Sequence, residues 1–262
     1  MDDGEKIWCP GVGDDTASVV VMLYAIKYLL ETGFSPKNGV MFVCNACEEG
    51  LGNLKGTRQL FADYEGRIAR FISFDAGFAN MTDRCVGSHR YEVEVFTKGG
   101  HSYGAFGNPN AIAELSKLVN EIYAIEVPKI GNSKTTYNVG TIEGGTSVNT
   151  IAQSAKMLCE YRSDNIDCLA RMKAHFERIF NDAKARGLEM SVTLLGERPC
   201  MGDVDLSKIE ELEDICRPII EETVNIQIGT HTREEWIEKA SLPLGLEIGI
   251  KAVEQITAKV AL

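Results

Sequence analysis

Residues 11–30 read GVGDDTASVVVMLYAIKYLL, a glycine-rich acidic turn followed by a long apolar stretch. The apolar side chains recur at helical spacing: Val20, Tyr24, Ile26, Leu29 and Leu30. Gly33 and Pro36 are typical of a helix end. The stretch therefore predicts a helix that begins directly after an acidic turn.

Two short apolar runs follow, VMFV at 40–43 and ARFISF at 69–74. The first run shows no alternation with polar residues, which is typical of a strand covered on both faces. An acidic turn, Glu48-Glu49-Gly50, and a helical stretch near 54–64 lie between the two runs. This strand-helix-strand order predicts the α/β fold class, with a mostly parallel sheet.

From about residue 91 the pattern changes, because YEVEVFT alternates with period two. The spacing then predicts a helix, two strands, a helix and a strand, at 110–123, 136–142, 155–161, 166–185 and 190–195. This order is that of a ferredoxin-like α+β module. We expect it at 89–198, inserted into a catalytic domain that comprises 1–88 and 199–262. In the returning part, a helix is expected at 206–222, a strand at 224–228 and a last helix from about 233, interrupted at Pro243.

The composition excludes several classes of function. The chain has 27 Lys and Arg against 38 Asp and Glu, a net charge of −11, which disfavours nucleic-acid binding. The longest apolar run, at 19–24, is too short to span a membrane. The first residues, MDDGEKIW, lack the pattern of a signal peptide, and the eight cysteines are most simply free thiols. We therefore expect a cytoplasmic protein without membrane or nucleic-acid partners.

Acidic residues and a histidine occur at four predicted junctions between strands and helices: Asp14-Asp15, Glu48-Glu49, Asp75 and His231. Taken one at a time, the aspartate pair is typical of a helix cap, the glutamate pair of a solvated surface, Asp75 of a turn and His231 of a surface histidine. Together they favour a ligand site, because ligands bind beyond the carboxyl ends of strands in α/β sheets. Carboxylates with imidazole suit Zn, Mn or Co.

These segments resemble the M20 family of metallopeptidases, which includes aminoacylases, carboxypeptidases and peptidase T. GVGDDTAS resembles the turn whose first aspartate bridges two metals, which implies that role for Asp14. NACEEGLGNLKG resembles the segment with the catalytic glutamate and a metal ligand, Glu48 and Glu49. FDAG and GTHTREEWIEKASL would supply the further ligands Asp75 and His231.

The inserted module resembles the lid of this family, which is also its dimerisation domain. KGGHSYGAFGNPNAI contains the Gly-His-Ser signature at His101. YNVGTIEGGTSVNTI and the following EYRS match the asparagine and arginine of the lid, Asn149 and Arg162. The resemblance implies a homodimer formed through the lid, in which His101 of one subunit serves the site of the other.

The resemblance implies a metal-dependent hydrolase that cleaves amide bonds in small peptides or N-acyl amino acids. Glu48 would act as general base toward a metal-activated water, and His101 would stabilise the oxyanion. Arg162 would bind a substrate carboxylate, and Asn149 would orient the substrate. The expected cofactor is zinc at two sites, with Mn or Co as possible replacements.

Two departures from the family leave an alternative open. No His-x-Asp segment precedes Asp14, so one of the two metal sites is expected to be impaired, and the stretch at 222–231 is short. The alternative is a catalytically impaired fragment that acts mainly as a dimerisation module. The C-x-x-C pair Cys44 and Cys47 could form a redox or zinc site, although two packed thiols are the favoured interpretation.

Overall fold

The computed structural model describes residues 2–75, 81–82, 84–202, 205–221, 236–238 and 240–259. The chain divides into two compact units. Unit 1 comprises Met1–Ala46, Gly56–Asp83 and Asp205–Leu262, and unit 2 comprises Cys47–Lys55 and Arg84–Val204. The second unit thus contains the predicted module and also a short segment from the preceding part of the chain.

Helices and strands both contribute to the architecture. The helices are α1 (Ala17–Glu31), α2 (Lys55–Asp63), α3 (Ala111–Tyr123), α4 (Ile166–Ala185), α5 (Ser207–Glu221) and α6 (Ser241–Lys259). The strands are β1 (Lys6–Trp8), β2 (Gly87–Phe96), β3 (Gly100–His101), β4 (Thr135–Gly144), β5 (Thr150–Ile151), β6 (Ser154–Ser163), β7 (Glu189–Arg198) and β8 (Trp236–Glu238). None of the described helices has both the length and the apolar character that a membrane span requires.

The core of unit 1 forms where helix α1 packs against α6. The helix buries small and branched side chains at four-residue intervals: Ala17, Val21, Ala25 and Leu29. Gly249 of α6 faces this stripe, because a Cβ atom at that position would make ordinary van der Waals contacts, at 3.6 Å with Val21 and 4.0 Å with Ala25. The predicted helix is confirmed; of the apolar residues at helical spacing, Leu29 is buried, whereas Val20 and Tyr24 are exposed.

The prediction of buried strands at 40–43 and 69–74 is wrong, because neither run forms a strand and both contain exposed apolar side chains. Every strand pair among the described residues is antiparallel, and residues 40–43 and 69–74 belong to no described ladder. An apolar run alone does not make a strand. A parallel strand also requires a neighbouring strand to pair with, and the local sequence does not specify that neighbour. The predicted strand at 224–228 lies outside the described residues.

Helix α6 begins later than the sequence predicts. Its first residue is Ser241 instead of a residue near 233, and Pro243 lies in its first turn. A proline is tolerated there because the first amides of a helix have no acceptor within the helix. Pro243 therefore lies near the beginning of the helix and does not interrupt it.

Unit 2 contains an antiparallel sheet in the order β4-β6-β2-β7. Together with α3 and α4, these strands follow one another along the chain as β-α-β-β-α-β, the connectivity of a ferredoxin-like module. Alternate residues of β2 and β6 face the helices, so Val93 lies opposite Met157 within the core. Asn110 and Asn165 cap α3 and α4 by accepting backbone hydrogen bonds.

A chain of hydrogen bonds crosses the core of unit 2 around the buried His89. The imidazole Nε2 lies 3.1 Å from the Glu197 carboxylate, and Nδ1 contacts the hydroxyl of Tyr161. An ionised carboxylate only accepts hydrogen bonds, so Nε2 carries the proton and Nδ1 accepts from Tyr161. The Tyr161 oxygen lies 3.2 Å from the Tyr91 hydroxyl and accepts from it in turn. The network fixes His89 in the neutral Nε2–H form.

We expect this histidine to make the stability of unit 2 depend on pH. Burial lowers the pKa of His89 below its usual value, and the Glu197 charge opposes this shift only in part. His89 thus has a lower pKa in the folded chain than in the unfolded chain. At a pH between these two values, the unfolded chain binds a proton that the folded chain does not. The free energy of unfolding is therefore expected to fall as the pH falls below about 6.5.

The measurement is urea unfolding of the wild type and His89→Gln at pH 7.5 and pH 5.5. The variant is expected to lose less stability between these two pH values. His175→Gln is the matched control, since His175 lies on α4 and is only partly buried. An equal pH dependence in His89→Gln and the wild type would contradict the prediction.

Candidate active site

The acidic turn of unit 1 lies between β1 and α1. Residues Val12–Thr16 form an irregular turn in which Asp14 and Asp15 have non-helical backbone angles. Gly11 begins the turn at φ 72°, a conformation that favours glycine, and its carbonyl accepts a hydrogen bond from the Thr16 amide at 2.9 Å. The turn holds both aspartates partly buried at the start of the helix.

Asp75 is close enough to this turn to influence Asp15 electrostatically. Burial raises the pKa of Asp15, the Ser18 hydroxyl opposes this shift, and the negative charge of Asp75 raises the pKa further. Oδ1 of Asp15 is buried and has no hydrogen-bond partner among the described residues. A bound cation would stabilise both carboxylates, because it would offset their mutual repulsion.

Glu48 and Glu49 belong to unit 2, in the segment Cys47–Lys55. This segment is a compact turn in which the amides of Gly52 and Leu54 donate to the Glu49 and Glu48 carbonyls at 2.7 and 3.3 Å. Arg198, the last residue of β7, donates to the Glu48 carbonyl at 2.6 Å and lies 3.2 Å from its carboxylate. Glu48 is therefore held by an arginine that the sequence motifs did not indicate.

His101 and Asn149 lie beside each other in unit 2. Strand β3 pairs His101 with Thr150 of β5, and the Ser102 amide donates to the Asn149 carbonyl at 2.9 Å. Nδ1 of His101 accepts from the backbone amides of Tyr103 and Gly104 at 3.3 and 3.4 Å. An accepting Nδ1 leaves the proton of the neutral ring on Nε2. His101 is exposed, so this N–H is available to a substrate.

Arg162 is engaged by a neighbouring carboxylate. Its Nε and Nη2 donate to the two oxygens of Glu160 at 2.8 and 3.0 Å, and Arg90 donates to the same carboxylate at 3.2 Å. Burial raises the pKa of Glu160, but the hydrogen bonds and charges of Arg162 and Arg90 outweigh it and lower the pKa overall. A guanidinium has five N–H donors, so Arg162 keeps donors that do not face Glu160 and that a substrate carboxylate can use.

The predicted metal ligands are only partly represented among the described residues. Asp14 and Asp75 lie in unit 1, Glu49 lies in unit 2 and His231 lies outside the described residues. No group of three His, Cys, Asp or Glu side chains that could hold a metal ion occurs among the residues described. The carboxylates of the acidic turn nevertheless fit a cation, because the buried Asp15 oxygen is unpartnered within the described chain.

The eight cysteines are all free thiols. Cys44 and Cys47 are both exposed, so the interpretation of this C-x-x-C pair as two packed thiols is wrong. The apolar run that precedes Cys44 is itself partly exposed, since Val40 and Met41 are 39% and 51% accessible. Since residues 40–43 do not form a buried strand, the cysteines that follow them are not packed in a core.

Two family models match the chain. The peptidase dimerisation domain matches residues 86–187, and peptidase family M28 matches residues 3–110. The two matched ranges together contain the acidic turn, the Glu48 segment and His101, as well as Asn149 and Arg162. His231 lies beyond both ranges.

Two curated proteins are similar in sequence. A peptidase M20 domain-containing protein of Schizosaccharomyces pombe is 28% identical over 59% of this chain and 38% of its own. Carboxypeptidase G2 of Pseudomonas is 29% identical over 67% of this chain and 42% of its own. The chain thus spans about two fifths of the length of the curated relatives it matches.

A solved structure agrees with the fold over most of the chain. A tripeptidase from Staphylococcus aureus has a TM-score of 0.67 and 19% identity, over 99% of this chain and 76% of its own. This likeness confirms the predicted α/β fold class. The match to a peptidase dimerisation domain is consistent with the inserted module that the sequence predicts.

Proposed function

Since this chain is related to the M20 family of peptidases, we propose that it hydrolyses amide bonds in small peptides or N-acyl amino acids. The observation that carries the proposal is the acidic turn of unit 1, where a buried and unpartnered Asp15 oxygen lies within the field of Asp75. A carboxylate whose pKa is raised in this way marks a candidate functional site, and a cation bound at the turn would relieve the repulsion from Asp75. The relatives are peptidases, which supports the same reaction class.

The metal would be held by Asp14, Glu49, Asp75 and His231, with zinc as the expected ion and Mn or Co as possible replacements. We propose two metal sites that share these ligands. When bound, a zinc ion supplies a Lewis acid that polarises a carbonyl and lowers the pKa of water.

The side chains of unit 2 provide the remaining chemistry. Glu48 accepts the proton of the attacking water and returns it to the leaving amine. His101 donates its Nε2–H to the developing oxyanion, because its Nδ1 is occupied by backbone amides. Asn149 Oδ1 accepts from the Ser147 hydroxyl at 2.9 Å, which leaves the amide N–H groups of Asn149 to orient the substrate. Arg162 binds a substrate carboxylate through the donors that do not face Glu160.

We further propose that the chain forms a homodimer through the module at 89–198, with 1–88 and 199–262 as the catalytic domain. Three large apolar side chains of this module, Tyr103, Phe106 and Val148, are 91%, 91% and 103% exposed. All three follow or precede the short β3–β5 pair, and apolar exposure of this extent supports a protein–protein contact there. The eight free thiols support a reducing compartment such as the cytoplasm.

The proposal is tested by metal dependence of hydrolysis. The purified protein is treated with a chelator, dialysed and assayed with tripeptides, dipeptides and N-acetyl amino acids. We expect hydrolysis to be lost after chelation and to return when Zn, Mn or Co is added. Absence of hydrolysis with all three metals would contradict the proposed activity.

Sedimentation velocity on the same samples decides between the two proposed functions. A dimer that hydrolyses substrate supports the enzyme with its dimerisation domain. A dimer without hydrolysis supports the alternative, a catalytically impaired dimerisation module, which the match at 86–187 favours. A monomer without hydrolysis would contradict both.

A further inference from the structure

We propose that Arg198 is a positioning residue for Glu48, because its guanidinium holds the segment Cys47–Lys55 on the sheet of unit 2. The inference rests on the proposed function, in which Glu48 is the general base. Arg198 lies 150 residues further along the chain, outside every motif of the sequence analysis. It would act through Glu48 and would not touch the substrate.

The geometry of Arg198 restrains the main chain and the side chain of Glu48 together. Nη2 donates to the Glu48 carbonyl oxygen at 2.6 Å, while Nη1 lies 3.2 Å from Oε1 of the same residue. The planar guanidinium fixes these two donors relative to each other. The side chain of Arg198 is 21% exposed and that of Glu48 is 41% exposed, so solvent screens the ion pair in part and the restraint rests mainly on the hydrogen bond to the Glu48 carbonyl.

A second arginine holds the same segment from the neighbouring strand. Arg90 of β2 donates to the Gly50 carbonyl, and Arg90 lies opposite Gly196 of β7 in the antiparallel register. Gly196 also leaves room for Asn53, because a Cβ atom at Gly196 would lie 3.2 Å from the Asn53 side chain. The segment is therefore docked at three points along the ends of β2 and β7.

The segment has a rigid internal structure that transmits this restraint to Glu48. The Lys55 amide donates to the Cys47 carbonyl at 3.1 Å, which closes the turn. A Cβ atom at Gly52 would lie 2.6 Å from the Cys47 carbonyl oxygen, so this position requires glycine. A turn that is closed internally moves as one piece, and its contacts with Arg198 and Arg90 determine where Glu48 lies.

A general base requires accurate placement, since a displacement of about 1 Å can cost about 100-fold in rate. We therefore expect Arg198→Gln to lower kcat by about 10- to 100-fold while KM changes less than about threefold. Arg198→Lys keeps a cation that can reach one of the two oxygens, and it is expected to restore part of the lost kcat. Restoration by lysine distinguishes positioning from a general loss of structure.

The experiment combines steady-state kinetics with hydrogen exchange of the amides of Gly52, Leu54 and Lys55. These amides close the turn, so they are expected to exchange faster in Arg198→Gln than in the wild type. Gly196→Ala is a second variant, which disturbs the docking through Asn53 without removing a charge. Arg186→Gln is the matched control, because Arg186 pairs with Glu121 at 2.8 Å elsewhere in unit 2.

Faster exchange of the three amides together with the fall in kcat would support the proposal. Unchanged exchange in both Arg198→Gln and Gly196→Ala would overturn it, whether or not the enzyme is active. Faster exchange with an unchanged kcat would overturn the functional part. A wild type that is inactive with every metal would contradict the proposed function, while the exchange data would still decide whether Arg198 holds the segment.

Discussion

Replacing Glu48 by glutamine is expected to lower kcat by about 10²- to 10⁴-fold, the range typical of a lost general base. Glutamine has nearly the same shape, but its amide cannot take a proton from water. Arg198 binds the main-chain carbonyl of residue 48 as well as its side chain, so Glu48→Gln should leave the segment in place. The measurement is kcat with a tripeptide at saturating zinc.

Two further variants show whether the loss of kcat comes from the missing base or from a loss of bound zinc. Glu49→Gln is expected to lower the zinc content, because Glu49 is a proposed ligand, whereas Glu48→Gln should retain the zinc content of the wild type. Glu126→Gln is the matched control, since Glu126 is exposed in unit 2 and has no proposed role. A Glu48→Gln variant with the kcat of the wild type would contradict the role of general base.

The ferredoxin-like module could be predicted almost completely from the sequence. Period-two alternation and helical periodicity are local properties, and the predicted helix at 166–185 coincides with α4. Asn110 and Asn165 precede the two helices and cap them, as their residue type favours. The four long strands and the two helices were specified by residues within or directly before their own spans, whereas the two-residue strands β3 and β5 were not predicted.

Unit 1 shows where local patterns are insufficient. Helix α1 has apolar residues on two sides, and the side that is buried depends on α6, more than 200 positions further along the chain. The structure buries Val21 and Ala25 against Gly249 and leaves Tyr24 exposed. The partner of a helix, not its own periodicity, decides between two apolar faces.

The sequence predicts the acidic residues of the candidate site but not their partners. Motifs indicated Asp14 and Glu48, because ligands bind beyond the carboxyl ends of strands in α/β sheets, and their roles in the site stay predictions. The contacts of Arg198 with Glu48 and of Glu160 with Arg162 are ion pairs between ordinary surface residue types. Arg198 and Glu48 are 150 positions apart, so no local pattern specifies their contact. Glu160 and Arg162, in contrast, lie two residues apart on one face of β6.

Replacing Phe176 by alanine is expected to lower the free energy of unfolding of unit 2 by about 3–5 kcal/mol. The ring is fully buried and packs between aromatic neighbours: its centroid lies 4.8 Å from that of Tyr161, 5.9 Å from Phe180 and 6.2 Å from Tyr91. Alanine would leave a cavity whose aromatic walls cannot collapse easily, because each ring is also held by the sheet or the helix.

The measurement is urea unfolding, monitored by hydrogen exchange of the amides in α4 and β6. These amides report on the stability of unit 2. Fluorescence of Trp8 and Trp236 serves as the internal reference, because both tryptophans belong to unit 1. Ile166→Ala is the matched control: it lies on the same helix, is 52% exposed and should change stability by less than about 1 kcal/mol. A loss below about 1 kcal/mol for Phe176→Ala would show that this aromatic cluster does not stabilise the module.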